Sequence, residues 1–528
     1  MTLTRPGPPA PREAAAVPAP PGCAGMPALG DGPLSADVVL RARCLEVLLG
    51  DPLRPTGPHD PTGPCDPTGP CDRTGRCGRS GPAAAREVPA PSGALGAVLP
   101  GPADVRRLGA EGVARVLRPL FRRGLALGHA WAVRPLSGAL AGAQARGPGT
   151  ELGALLGAAA LIGAAGGALH TTARLVDCLA AREPGVRQWQ PVLAADFADL
   201  LACESLTAVA LRAADLTAGG TPALTAAAGH VVPQLAGQVL DDLELVLNEA
   251  GFGPDTAERR ALAELAADRV ATGADPAAAA GARARLIHAL PSLADLADLA
   301  DLADLADLAG PAGGAFRAGR GHEHLASREL FRLGRTGTAL TGTRVGTLST
   351  AGVAAALPGA AGRLAGRADD DPARAALTRV ARRLAAEQRT LRLPYPAAGH
   401  TGPTDPAARA LADRQALLLL AAAVLGVGRE AEGFLGRPHW ALLALARVTR
   451  RLGAPLPEPA LDPAGDVWAE LAERTRQGVD CDVYGSQLLW AKAEAEAEAG
   501  TEAEAGTGTE AEAGAGTGAG RRRGGGGT

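Results

Sequence analysis

Aromatic residues and lysine are scarce in this chain. Phe, Trp and Tyr make up only 2% of its 528 residues, and Lys492 is the one lysine. A core with so few rings is built mainly from Ala, Leu and Val, and each fully buried Leu or Val contributes only about 1.5–3 kcal/mol. The fold must therefore draw its stability from many close contacts between helices.

The chain also lacks an excess of charge of one sign. Its formal net charge is −3, with acidic and basic residues interspersed. Nucleic-acid binding needs a basic face and is not expected. The Pro-rich amino terminus has no charged start followed by an apolar run, so we expect a cytoplasmic protein. Its eight cysteines are then thiols and not a disulfide framework.

Long apolar runs are few, and one of them approaches the length of a membrane span. Leu152–Leu169 is uncharged, and a spanning helix needs about 20 apolar residues. The run is rich in Gly and Ala, which favours a buried core helix. A second run, Ala416–Gly428, is too short to span. We therefore expect no membrane association.

Composition and periodicity predict an all-α, multi-helix bundle with disordered termini. Ser35 is the expected N-cap of the first helix, which Gly50 should end. Pro119 is expected to break or kink a later helix. The predicted organisation is a disordered leader (1–34), a partial N-terminal helical region (35–148) with a Pro/Gly-rich repeat insertion (54–79), a C-terminal helical bundle (149–492) with a loop-rich insertion (about 290–345), and a disordered low-complexity tail (493–528).

Two groups of residues have side chains of the types that bind metals, and neither predicts a metal site. A tandem repeat places one histidine and three cysteines at six-residue intervals, whereas structural zinc sites usually pair ligands through short CxxC-type spacings. These residues are His59, Cys65, Cys71 and Cys77. His322 and His324 would point about 200° apart on a helix, so they cannot share a metal. Nucleophile-elbow and phosphate-loop motifs are lacking.

Acidic residues cluster near the end of one predicted helix. We interpret this cluster as a solvated face, because leucines line the opposite side. Its members are Asp241, Asp242, Glu244 and Glu249.

Three stretches, taken in order, resemble the acyl-CoA dehydrogenase family. The longest runs from Gly163 to Gly253 and includes GAAGGALHTTARLVDCLAAREPG, VLAADFADLLACESLTAVALRAADL and AAAGHVVPQLAGQVLDDLELVLNEAGFG. It resembles the family's carboxy-terminal helical domain. ARVLRPLFRRGLALGHAW resembles part of the amino-terminal helical domain, and Leu325–Pro358 is a weaker third match.

The resemblance implies a flavoprotein that oxidises an acyl thioester at its α,β bond. FAD would lie between the helical domains and a middle β domain, and a glutamate would remove the α-proton. Glu151, at the start of the long helix, is the candidate base, or else an acid favoured there by the helix dipole. By position, the candidate flavin contacts are Arg182, Asn248, Gly251 and Gly253.

The chain departs from the family pattern in three places. The short interval before Glu151 leaves no room for the middle β domain. The loop RTGTALTGTRVGT, at the usual place of the catalytic glutamate, carries no acid. The turn after Arg182 lacks the family's aromatic residue. Two hypotheses therefore stay open: a flavin-dependent acyl-CoA or carrier-bound acyl dehydrogenase, and an inactive helical scaffold or partner. Either would form a homo-oligomer or hetero-oligomer through the helical domain.

Overall fold

The structure is a computed structural model, and it confirms the all-α multi-helix bundle. Among the residues that it describes there is no strand, and 82% are helical. The one β feature in this part is an isolated bridge between Val479 and Gln487. The described residues are 34–53, 91, 93–143, 149–216, 222–274, 278–291, 293, 330–334, 371–392, 402–453 and 461–490.

The first half of the fold consists of one helix and, after a long interval, a series of helices joined by short connections. They are α1 (Leu34–Leu49), α2 (Gly93–Val98), α3 (Pro102–Arg123), α4 (Leu125–Gly128), a π-helical turn (His129–Val133), α5 (Arg134–Ala143), α6 (Gly149–Ala180), a 3-10 turn (Pro184–Trp189), α7 (Gln190–Leu216), α8 (Pro222–Glu249) and α9 (Ala257–Ala271).

Four further helices complete the described fold, together with a helical stretch within 278–291. Asp405 caps the second of the four, because its side chain accepts a hydrogen bond from the backbone N–H of Ala407. The four are α10 (Pro372–Arg392), α11 (Pro406–Glu430), α12 (Pro438–Arg451) and α13 (Ala464–Arg476).

The helices α6, α7 and α8 form the centre of the bundle, and the other helices pack around them. Short connections make consecutive helices antiparallel. The guanidinium of Arg451 binds both Asp199 of α7 and Gln238 of α8. These two residues therefore lie at the same height along the bundle, which is consistent with antiparallel packing of α7 and α8. The carboxyl ends of α6 and α8 therefore lie at the same end of the bundle. The first helices, α1 to α5, share one hydrophobic core with this centre.

Two predictions about helices are wrong, namely the N-cap of the first helix and the kink at Pro119. The first helix begins at Leu34, so Ser35 lies inside it and is not its N-cap. The end at Gly50 is confirmed, and Gly50 adopts the positive φ of 63° that favours glycine. Pro119 lies within α3, whose non-helical backbone is at Gly109 instead. The reason is a carboxylate that binds beside Gly109, described below.

Two helices are long and apolar enough to cross a membrane by length and composition. They are Glu151–Ala180 within α6 and Pro406–Glu430, with 67% and 72% of their most apolar windows buried. Such burial is what core helices of a bundle show, so these helices are weak evidence for a span. The apolar run at 416–428 forms only part of a longer helix, α11, which begins at Pro406.

Several sequence predictions concern residues outside those described. These are the leader, the repeat insertion with its histidine and cysteines, most of the loop-rich insertion, His322 to His324, the acid-free loop and the tail. The acidic cluster of α8 is described. Asp241, Glu244 and Glu249 are exposed, as a solvated face requires, whereas Asp242 is half-buried.

A methyl group at Gly426 should destabilise the fold. Gly426 is in α11, and a Cβ there would overlap the buried ring of Phe331. We expect Gly426→Ala to lower the free energy of unfolding by about 1–3 kcal/mol, because overpacking outweighs the gain in helix propensity. Urea denaturation measures the change. Gly138 in α5 has open space around it, so Gly138→Ala should raise stability by about 0.5–1 kcal/mol. Equal effects of both substitutions would contradict the packing.

Candidate functional site

Two arginines of α3 and three carboxylates form a buried charge cluster where α1, α3, α7 and the segment after α13 meet. Arg118 donates from Nη1 to Glu204 at 2.7 Å and from Nε to Asp480 at 3.1 Å. Arg122 donates from Nη1 to Asp480 at 2.8 Å and also pairs with Glu46. All five side chains are buried. Burying ions is costly unless they are paired and hydrogen-bonded. Both arginines are paired here, whereas Nη2 of Arg118 and Oδ1 of Asp480 have no hydrogen-bond partner among the described residues.

The segment after α13 is held in place by Arg474. Its Nη1 donates to the carbonyl oxygens of Asp480 and Asp482, at 3.2 and 2.7 Å. Its guanidinium also lies over the rings of Phe197 and Phe434. These contacts direct the Asp480 carboxylate toward α3, since the backbone on both sides of it is fixed.

The charge cluster holds a proton at neutral pH. Burial raises the pKa of Glu204 to about 8, against the opposing effect of Arg118. Burial alone would raise the pKa of Asp480, but Arg118 and Arg122 lower it to about 2. Asp480 therefore carries a negative charge beside both arginines, and Glu204 is largely protonated. A carboxyl group with a pKa near the working pH can accept or donate one proton.

A small cleft opens beside Glu204, between α3, α6, α7 and the segment after α13. Its free space is about 30 Å³, which accommodates one or two waters. Arg115 lies over the ring of Tyr484 at 4.4 Å from the centroid, and the Tyr484 hydroxyl donates to Glu111 at 3.0 Å. The cleft is far below the size of a cofactor or drug-sized ligand pocket, about 300–1,000 Å³. A flavin does not fit in it.

A buried histidine that interacts electrostatically with Asp480 and Arg122 stays neutral. Burial lowers the pKa of His170 to about 4. Neither ring nitrogen has a hydrogen-bond partner among the described residues, and the ring packs edge-on against Trp490 at 5.9 Å between centroids. His170 therefore adds no positive charge to the arginines around Asp480 at neutral pH.

A second carboxylate explains the interrupted start of α3. Both oxygens of Asp215 accept the backbone N–H of Ala110, at 2.8 and 2.9 Å. Gly109 adopts a φ of 76°, and a Cβ there would meet the Asp215 carboxylate, so this position requires glycine. Burial raises the pKa of Asp215 to about 6, although the Ala110 N–H lowers it.

The structure places the sequence-predicted site residues at two ends of the bundle. Glu151 is half-buried in the first turn of α6, and Arg182 is exposed just after this helix ends. The 32 residues of α6 rise about 1.5 Å each, so about 45 Å separate the two side chains. Asn248, Gly251 and Gly253 lie at and just after the end of α8 and are exposed. They therefore lie at the end of the bundle that carries Arg182, far from Glu151.

The residues of the buried charge cluster were not predicted from the sequence. No motif connects them, since Arg118 and Asp480 are 362 positions apart. One signal was present: Glu204 interrupts the apolar stretch LLACESLTAVAL. A lone carboxylate in such a helix is buried and needs a partner. The sequence could therefore indicate a buried carboxylate at Glu204, but not its partner.

Comparisons with known proteins leave the family open. No family model, no curated protein and no solved structure matches the chain. The resemblance to acyl-CoA dehydrogenases stays a prediction from the sequence, and any function must be inferred from the geometry above.

Proposed function

We propose that the chain is a non-catalytic helical partner protein, built like the helical domains of an acyl-CoA dehydrogenase. The observation that supports this function is the separation of about 45 Å between Glu151 and the candidate flavin contacts. A base and a flavin that act on the same carbon must lie within contact of one substrate. Glu151 and Arg182 of one chain cannot meet this condition.

The buried charges support the same proposal. The arginines of the charge cluster are bound by Glu204, Asp480 and Glu46. Arg212 is likewise bound by Glu111. An active site needs polar groups that face a substrate, whereas these groups face one another. They hold α1, α3, α7 and the carboxyl-terminal segment together, which is a structural task.

A flavin-dependent dehydrogenase is the second candidate, and one observation favours it. Arg182 and the turn at Asn248–Gly253 are exposed together at one end of the bundle. In a homo-oligomer or hetero-oligomer, this end could contact a flavin held partly by a second chain. FAD would then supply the redox chemistry, an acyl thioester would be the substrate, and the protein would be cytoplasmic.

The visible absorbance spectrum of the purified protein distinguishes the two functions. We expect no flavin bands, and no FAD retained after incubation with FAD and gel filtration. Light scattering on the same column gives the mass of any oligomer. Stoichiometric flavin that is lost in an Arg182→Ala variant, but retained in Arg187→Ala, would overturn the first proposal and support the second. Arg187 is a suitable control because it is exposed nearby in the 3-10 turn.

A further inference from the structure

The outer side of α10 is a strongly basic surface. Buried Val380, Leu384 and Leu391 attach this helix to the bundle, and the opposite side carries exposed arginines. At 100° per residue, four of them fall within about 120° of the helix circumference. We name this surface the arginine face; it consists of Arg379, Arg382, Arg383 and Arg389.

The arginine face is not neutralised within the described part of the chain. The ion pairs that involve α10 there are those of Arg374 with Asp371 and of Glu387 with Arg414. Neither includes an arginine of this face. Four guanidinium groups on one helix, without an acidic partner among the described residues, attract a flexible anionic partner, because each can bind a carboxylate.

The chain itself contains a matching acidic segment. Residues 493–520 hold seven glutamates and no Lys or Arg, in the run EAEAEAGTEAEAG at 494–506 and again in EAEAG at 510–514. The glutamates are Glu494, Glu496, Glu498, Glu502, Glu504, Glu510 and Glu512. We propose that this glutamate-rich segment, residues 494–512, docks on the arginine face of the same chain.

The distance along the chain allows this contact. The described residues end at Trp490, and 22 further residues reach Glu512. An extended chain of that length spans up to about 70 Å. A globular chain of this size has a radius of gyration of about 24 Å, so the segment reaches a large part of the surface around Trp490. Its tether also gives a local concentration on the order of millimolar.

This contact is electrostatic and therefore sensitive to salt. The Debye length falls from about 30 Å at 0.01 M salt to about 8 Å at 0.15 M and about 3 Å at 1 M. The segment is docked at low ionic strength and released at high ionic strength. While docked, it covers the arginine face and excludes other acidic polypeptides from it.

Digestion of the full chain by a glutamyl endopeptidase tests the proposal. Mass spectrometry follows cleavage after the glutamates of the segment. We expect cleavage at about 0.02 M salt to be about tenfold slower than at about 0.5 M, after correction for the enzyme's rate on a free peptide of the same sequence. Replacing all four arginines of the face by Gln should abolish this protection, whereas replacing them by Lys should keep it.

A matched control removes four exposed arginines elsewhere, namely Arg43, Arg106, Arg187 and Arg260. Their replacement by Gln should leave the protection intact. Circular dichroism checks that each variant remains helical. Equal loss of protection in both Gln variants would mean a general charge effect and would overturn the proposal. Protection that grows with protein concentration would assign the docking to a second copy and would overturn it as well.

Discussion

Replacing Glu204 by Gln should invert the order of stability between the wild-type chain and the variant as the pH rises. The folded state raises the pKa of Glu204 from 4.5 to about 8. The proton is therefore bound more tightly in the folded state than in the unfolded state. The stability that this group contributes is fully present below pH 4.5 and is lost as the pH rises through about 8.

The expected size of this loss is about 4 kcal/mol between pH 5 and pH 9. The substituted glutamine side chain cannot ionise, so the variant lacks this loss. Its single amide oxygen can accept only one of the two hydrogen bonds from Arg118 and the Val483 N–H, which costs about 1 kcal/mol at every pH. We therefore expect Glu204→Gln to be less stable than wild type at pH 5 and more stable by about 3 kcal/mol at pH 9.

Urea denaturation at several pH values measures both curves. Glu249→Gln is the control, because Glu249 is exposed at the end of α8 and its substitution removes a carboxylate without changing the core. The difference between this control and wild type should stay small at every pH. Parallel curves for Glu204→Gln and wild type would mean that Glu204 is ionised in the folded state.

The central helices are the part of the fold that local sequence predicts. The pattern of residues 150–250 predicts three or four long helices, and α6, α7 and α8 confirm it. Helical periodicity and the turn after Arg182 depend on neighbouring residues, so they can be read from the sequence. The break at Gly109 cannot be predicted from neighbouring residues. It is caused by Asp215, whose carboxylate binds the N–H of Ala110 from 105 positions away.

The buried charge cluster depends even more on tertiary contacts. Asp480 precedes Cys481 and Asp482 in a short segment with no helical pattern, and nothing in it indicates burial. Its carboxylate is buried because Arg474 fixes the backbone and because Arg118 and Arg122 lie opposite. Pairing across 358 and 362 positions follows from helix packing and not from any spacing rule.

Replacing Asp480 by Asn should cause a large loss of stability near neutral pH. Asp480 is fully buried and binds Arg118 and Arg122. Removing its charge leaves two buried guanidinium groups undercompensated, and breaking such a pair costs about 3–5 kcal/mol. Asp466→Asn is the matched control, because the Asp466 side chain is 62% exposed and its loss should cost less than about 1 kcal/mol. Thermal or urea unfolding at pH 7 measures both variants.

The double variant Asp480→Asn, Glu204→Gln tests whether ionisation of Glu204 compensates for the lost charge of Asp480. Without the negative charge of Asp480, Arg118 favours ionisation of Glu204, so the pKa of Glu204 should fall in the single variant Asp480→Asn. Glu204 then replaces part of the lost charge and reduces the cost of that variant. The double variant removes this compensation. We expect its change in stability at pH 7 to be more destabilising than the sum of the two single changes by about 1–3 kcal/mol. Additive changes would mean that Glu204 and Asp480 do not compete for Arg118.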